Sequence, residues 1–158
     1  MDTLCGRQRF GCIILGAPSS GKTTALRDMI RLFSERGYRV GVADERGEIS
    51  GDGEFDLGPC SDVITGLSKA ESAMLLLRGM NPQIIAMDEI TQSADADAIR
   101  ELCCCGVELL ATAHARNADE LRQRRVFAEL LDTGAFKYAL SIRGAGSTRS
   151  YELEGLYV

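Results

Sequence analysis

The chain has 158 residues, of which 45 % are hydrophobic and 26 % charged. That is an ordinary globular mixture with room for one domain of typical size, and it excludes a disordered chain. With 18 Lys and Arg against 23 Asp and Glu, the formal net charge is −5, whereas a small domain dedicated to nucleic acid is usually basic. No apolar run approaches the length of a membrane span, and Met1 to Phe10 has no apolar signal core.

The first element in chain order is Cys12 to Leu15, a short apolar run stopped by Gly16. Such a run suits a strand buried on both faces of a parallel sheet. From Thr23 to Glu35 the period becomes helical, with Leu26, Met29, Ile30 and Phe33 on one face and Gly37 at the end. Arg39 to Ala43 reads as the second strand, closed by Asp44. Gly47 to Pro59 is a polar, glycine-bearing stretch too long for a routine connection, itself a hint of function. Ser68 with Glu71 predicts a capping box at the start of a helix that Asn81-Pro82 stops. Ile84 to Met87 is a third strand, with Asp88-Glu89 at its tip. A helix over Asp95 to Cys104, a strand over Val107 to Ala113 and a helix beginning near Asn117 follow, the last continuing or restarting toward Leu131. Tyr138 to Ile142 is a fifth strand, and Arg149 to Leu153 pairs with it as a hairpin across Gly144 to Gly146. Strands alternating with helices predict βαβ units in a three-layer α/β fold: a mostly parallel central sheet with helices on both faces.

Gly16, Ala17, Pro18, Ser19, Ser20, Gly21, Lys22 and Thr23 spell the phosphate-loop (Walker A) pattern GxxxxGK[ST], between a buried strand and an amphipathic helix. Glycines permit a tight loop whose N–H groups converge on phosphate oxygens, and the helix start adds its unpaired N–H groups. Lys22 is expected at the β- and γ-phosphates, the Thr23 hydroxyl at Mg²⁺, and Thr24 near the α-phosphate. Ser19 stands where many such loops carry glycine, and a positive φ there would strain it.

Asp88-Glu89 supplies a Walker B pair. A strand-end aspartate holds Mg²⁺ directly or through water, and the next acid orients or deprotonates the attacking water. The strand Arg39 to Ala43 is read as lying between the loop strand and the acidic strand, an arrangement that goes with a catalytic glutamate. Asp44, Glu45 and Glu48 are candidates to bind Mg²⁺ or position water, with a solvated charged turn as the plain alternative. His114, the one histidine, follows a strand and is a candidate γ-phosphate sensor, or simply a polar strand end. Arg46, Arg143 and Arg149 are candidate contacts to nucleotide or to a neighbouring subunit. The six cysteines include the run Cys103-Cys104-Cys105; their spacing fits neither a disulfide framework nor a zinc site, and they read as reduced small hydrophobes.

Taken together, GAPSSGKTTALRD, RVGVADERGEISG, AESAMLLLRGMNP, IIAMDEI, GVELLATAHA and ALSIRGAG resemble the ATPase domain of the stage III sporulation protein AA family. That family is similar to the RecA-like motor ATPases of type II and type IV secretion. The resemblance runs from about Phe10 to Gly146, and the order DERGEI, PxIIxxDE, ATAHA is its specific part. It places Lys22 and Thr23 on the phosphate loop, Glu45 and Glu48 in an acidic box, Asp88 and Glu89 on the Mg²⁺ and water-activating acids, and His114 in a His box. It implies ATP and Mg²⁺ as ligands, and a hexamer with nucleotide between subunits. It also implies membrane proteins of a channel joining mother cell and forespore as partners, and a place in the mother-cell cytoplasm, peripheral to the membrane through them. Residues 1–10 then form a lead-in and 11–158 the P-loop ATPase domain. The N-terminal domain of family members is not in this sequence, so the isolated domain is expected to be mainly monomeric. Two rival readings are a nucleotide-gated assembly scaffold with little hydrolysis and a DNA-acting RecA-like motor; the acidic charge weighs against the second, and no nucleic-acid partner is expected. A small-molecule kinase lacks an evident lid.

Overall fold

The computed structural model describes residues 10–156. The strands are β1 (Cys12–Gly16), β2 (Val40–Asp44), β3 (Ser61–Thr65), β4 (Ile84–Met87), β5 (Glu108–Ala113), β6 (Tyr138–Arg143) and β7 (Ser150–Gly155). The helices are α1 (Lys22–Glu35), α2 (Lys69–Met80), α3 (Ser93–Cys104), α4 (Ala118–Arg122) and α5 (Arg125–Asp132). The strands form one sheet in the order β3-β2-β4-β5-β1-β6-β7, parallel throughout except for the β6–β7 hairpin. The fold is the expected RecA-like α/β arrangement.

Period-two alternation distributes the sheet's side chains to two cores. Cys12, Ile14, Val42, Ile84, Ala86 and Leu110 join Leu26, Met29, Ile30 and Phe33 of α1 on one face. Ile13, Leu15, Ala43, Ile85, Met87, Leu109 and Ala111 join the helices α2 to α5 on the other. Leu76 of α2 lies directly over Gly41, where a Cβ would stand only 3.2 Å from it, so the missing side chain sets how closely helix and sheet approach.

Most predicted elements stand, with ends moved by a residue or two. The capping box at Ser68 and Glu71 is formed. The helix after Asn117 restarts: Arg124 is extended, with φ −91° and ψ 120°, and separates α4 from α5. One reading is corrected. The strand lying between the phosphate-loop strand and the acidic strand is β5, which pairs with both β1 and β4. Arg39 to Ala43, the core of β2, comes between them only in chain order and pairs with β4 from the outer side. The edge strand β3 is absent from the sequence reading. Only Val63 and Ile64 in it are apolar, and Val63 is exposed, so no alternating or continuous apolar pattern marks it.

The long stretch after β2 is a tied-down loop. The Asp44 carboxylate, 1 % exposed, accepts hydrogen bonds from Ile49 N at 3.0 Å, Ser50 N at 2.9 Å and Ser50 Oγ at 2.7 Å. Arg27 of α1 donates to the carbonyls of Ile49 (2.8 Å) and Glu48 (2.6 Å) and lies 3.7 Å above the Phe55 ring. Ile49 and Leu57 are buried beneath. The cysteines divide: Cys12 is buried, which pushes its thiol up to about 12, while Cys104 and Cys105 are exposed, so packing as small hydrophobes does not account for these two. Among the described residues no helix is long and apolar enough to cross a membrane.

Asp44→Ala strands buried donors that have no other partner. It should lower stability by about 2–4 kcal/mol, measured by urea unfolding, because each unsatisfied buried group costs about 1–3 kcal/mol. A loss under about 0.5 kcal/mol, the level of an ordinary surface substitution, would mean the loop is held elsewhere.

Candidate functional site

In a parallel sheet all carboxyl ends lie along one rim, where ligands of α/β proteins gather. Here the ends of β1, β2, β4 and β5 carry, in turn, the phosphate loop, Asp44 with the acidic box, Asp88-Glu89 and His114. The loop leaves β1 at Gly16, where a Cβ would collide with the Ser20 hydroxyl. Ala17, Pro18 and Ser19 are exposed, Ser20 is buried, and Gly21 caps α1 with φ 100°. Ser19 does have positive φ, at 60°, so the anticipated strain is present. The Ser20 hydroxyl is buried with no hydrogen-bond partner among the described residues.

From the loop, Lys22 and Thr23 reach two different groups. Thr23 Oγ1 donates to Asp88 Oδ2 at 3.1 Å. Lys22 Nζ donates to the Ala17 carbonyl at 2.9 Å and lies 3.1 Å from His114 Nδ1. An ammonium has no lone pair to offer, so His114 Nδ1 must be the acceptor and Nε2 carries the ring proton. That proton points to Glu89, whose Oε1 is 2.8 Å from Nε2. Lys22, His114 and Glu89 therefore form one hydrogen-bonded chain. Burial lowers the pKa of the Lys22 ammonium, and the carboxylates of Asp88 and Glu89 oppose that shift. Thr24 is exposed on the first turn of α1 and takes no part in the chain.

Two residues missed by the sequence reading hold the acids in place. Thr112 of β5, fully buried, donates its hydroxyl to Asp88 Oδ1 and accepts from Glu89 N at 2.8 Å. Its position inside ATAHA was visible, but its role depends on β5 lying beside β4. Lys69, the first residue of α2, donates to the Glu89 carbonyl at 2.9 Å. Glu89 itself sits at φ 37°, a conformation that costs a non-glycine residue about 1–3 kcal/mol. The only sequence signal for Lys69 is a cation in a first helical turn, where the helix dipole favours acids.

Glu45 and Glu48 are exposed and line the same cleft as Lys69, Asp88 and Glu89, with Glu45 3.8 Å from the Lys69 ammonium. Asp44 borders the same cleft, but three hydrogen bonds tie its carboxylate to the loop. Arg46 is exposed on that cleft. Arg143 pairs with Glu152 at 3.0 Å across the β6–β7 hairpin. Arg149 lies against the phosphate loop, its guanidinium carbon 3.0 Å from where a Cβ on Gly21 would be. Among the described residues no group of three or more His, Cys, Asp or Glu could hold a metal ion. The hard oxygens of Thr23 and Asp88, side by side, do fit Mg²⁺ of the kind that arrives with substrate phosphates and keeps most of its waters.

Residues 1–157 match the family model for sporulation stage III, protein AA. The chain belongs to the stage III sporulation protein AA family. It is 33 % identical over 156 residues to stage III sporulation protein AA of Bacillus subtilis (strain 168), covering 90 % of this chain and 51 % of that protein. In structure it is similar to the VirB11 ATPase of the Brucella suis type IV secretion system (TM-score 0.70, 16 % identity, 93 % of this chain and 50 % of that one). It is likewise similar to the pilus retraction motor PilT solved with bound ADP (TM-score 0.68, 18 % identity, 94 % and 48 %). The chain thus spans about half the length of these relatives. At such low identity the structural likenesses establish the RecA-like secretion-ATPase fold.

Thr112→Val keeps the shape of the family's ATAHA strand but removes the hydroxyl between Asp88 and Glu89. It should cost about 1–3 kcal/mol in chemical denaturation, as expected for a lost buried hydrogen bond to a charged group, with Thr112→Ser costing less. Equal stability of all three proteins would show that Thr112 does not hold the acids.

Proposed function

We propose that this chain is the nucleotide-hydrolysing unit of a secretion-type motor, binding MgATP at the phosphate loop and hydrolysing it to ADP and phosphate. The observation that carries the reading is the convergence of Lys22, Thr23, Asp88, Glu89 and His114 through hydrogen bonds and close polar contacts from β1–α1, β4 and β5. A chance glycine-rich turn would not bring a strand-end acid pair and a histidine onto its own lysine and threonine.

In this reading the loop from Ala17 to Thr24 cradles the phosphates with its N–H groups, all but that of Pro18, which has none, and the start of α1 adds its dipole. Thr23 and Asp88 would hold the Mg²⁺ that arrives with ATP, which would supply neutralisation of phosphate charge. Lys22 turns from Ala17 and His114 to the β- and γ-phosphate oxygens. Glu89 orients water in line with the γ-phosphorus and takes its proton as the new P–O bond forms, while the β–γ bridging oxygen leaves with ADP. His114, no longer held by Lys22, is free to contact the γ-phosphate or the water. Glu45 and Glu48, on the adjoining cleft, help order that water. A hexamer of the longer protein, docked on membrane proteins of a sporulation channel, is the setting the family suggests. The net charge of −5 gives no support to a DNA-tracking motor.

Lys22→Ala should weaken ATP binding by about tenfold or more in a calorimetric titration, the scale of a charge-assisted hydrogen bond. Unchanged affinity would move the nucleotide away from this loop. Glu89→Gln should leave MgATP binding intact while phosphate release falls by roughly 10²-fold or more, since the amide cannot take a proton. Retained turnover in that variant would exclude Glu89 as the base. A nucleotide-gated scaffold, by contrast, would bind ATP normally and show no turnover for Glu89→Gln to remove.

A further inference from the structure

Lys69 stands against a local rule. It is the first residue of α2, directly after the Ser68 cap, where the positive end of the helix dipole disfavours a cation. Its side chain is nevertheless drawn inward and is only 12 % exposed. What compensates is a set of acceptors from three other segments. Lys69 Nζ donates to the Glu89 carbonyl at 2.9 Å, and lies 3.6 Å from Asp95 Oδ2 and 3.8 Å from Glu45 Oε2.

These contacts define what the ammonium holds. Between β4 and α3 the chain turns sharply through Glu89, whose φ of 37° a side-chain-bearing residue leaves readily if released. At the near end of the turn Thr112 fixes the Glu89 amide. At the far end the buried Asp95 carboxylate accepts from Thr91 N at 3.2 Å and Gln92 N at 3.1 Å. Ile90 N donates to the Thr112 carbonyl, and Ile90 is buried. The Glu89 carbonyl, at the centre of the turn, has Lys69 as its partner. Because the same ammonium also faces Asp95 and Glu45, it joins the catalytic turn to the α3 cap and to the acidic box. A neutral side chain would leave a buried-side carbonyl unpaired and two carboxylates without their common counter-charge.

We propose that Lys69 is the positioning residue for Glu89: it holds the strained Glu89 peptide so that the carboxylate meets His114 and the water site, without itself touching nucleotide. This rests on the ATPase reading above for its consequence in turnover, but the hold on Glu89 is a property of the free protein and is tested separately.

The experiment compares the 158-residue chain with its Lys69→Met and Lys69→Arg variants. Amide hydrogen exchange followed by NMR is read at Glu89 and Ile90 and, as a control on folding, at Ile13 and Leu110. In Lys69→Met, exchange at Glu89 and Ile90 should accelerate about tenfold or more while the core amides keep their rates, the pattern of a local opening. Lys69→Arg should recover most of that protection, because a guanidinium can still donate to the carbonyl. With MgATP, kcat of Lys69→Met should fall roughly 10- to 100-fold, the scale of a misplaced catalytic group, while the Kd for ADP changes by less than about twofold. Wild-type exchange at Glu89 in Lys69→Met would overturn the proposal. So would a uniform loss of protection that includes Ile13 and Leu110, or a weakened ADP Kd with kcat intact. If the parent chain itself shows no ATP turnover and no nucleotide binding, the ATPase reading fails, and the exchange arm still decides whether Lys69 holds Glu89.

Discussion

The site depends on a single carboxylate. Asp88 accepts from Thr23 on one oxygen and from Thr112 on the other, so it ties the start of α1, the middle strand β5 and the end of β4 to one point. None of those segments adjoins another in sequence. They meet because β5 is inserted between β1 and β4, and because every parallel strand ends on the same rim. Removing Asp88 would therefore do more than delete a charge: two hydroxyls from different strands and helices would lose their shared acceptor.

Around that point, local rules are broken together. Ser19 and Glu89 occupy left-handed backbone, Ser20 buries a hydroxyl without a partner among the described residues, and Lys69 puts a cation at a helix start. Elsewhere most patterns agree, with buried strands alternating between two cores, α1 showing one apolar face and Ser68 capping α2; the exceptions are Asp52 and Asn81, also in left-handed backbone, and the Ser72 hydroxyl, buried without a partner among the described residues. Several departures gathered on one rim are held there because the surroundings over-determine them, which supports the site proposed above. Asp44 is the contrast. It lies on the same rim and has the right chemistry, yet its three hydrogen bonds go to Ile49 and Ser50, so it acts as a clip for the loop that carries Glu48.

What the sequence made legible was what is contiguous. The phosphate loop is a continuous string, and Asp88-Glu89 and His114 each sit at the end of an apolar run, so residue type and position sufficed. Sheet order was less legible, since chain order puts Arg39 to Ala43 between loop and acids while the sheet puts Glu108 to Ala113 there. Thr112 was hidden for the same reason: in isolation it is one threonine in an alanine-rich strand. The strand Ser61–Thr65 was hidden because an edge strand half in water needs no apolar pattern. Lys69 lies inside the capping box that Ser68 and Glu71 announce, and nothing in its spacing shows what its side chain touches.

The chain from Lys22 through His114 to Glu89 has a consequence for how nucleotide entry is felt at the acid. Lys22 now spends its donors on Ala17 and His114, and it cannot keep that geometry while turned toward β- and γ-phosphate oxygens. When it leaves, the constraint on the histidine tautomer leaves with it, since the acceptor role of Nδ1 was imposed by the ammonium. His114 then has one ring nitrogen released while the other still faces Glu89. In the proposed ATPase, occupation of the loop would thus be transmitted to the Glu89 carboxylate by exchange of hydrogen-bond partners alone. The strands need not shift, because Thr112 and Lys69 keep the Glu89 backbone fixed while its side chain changes partners.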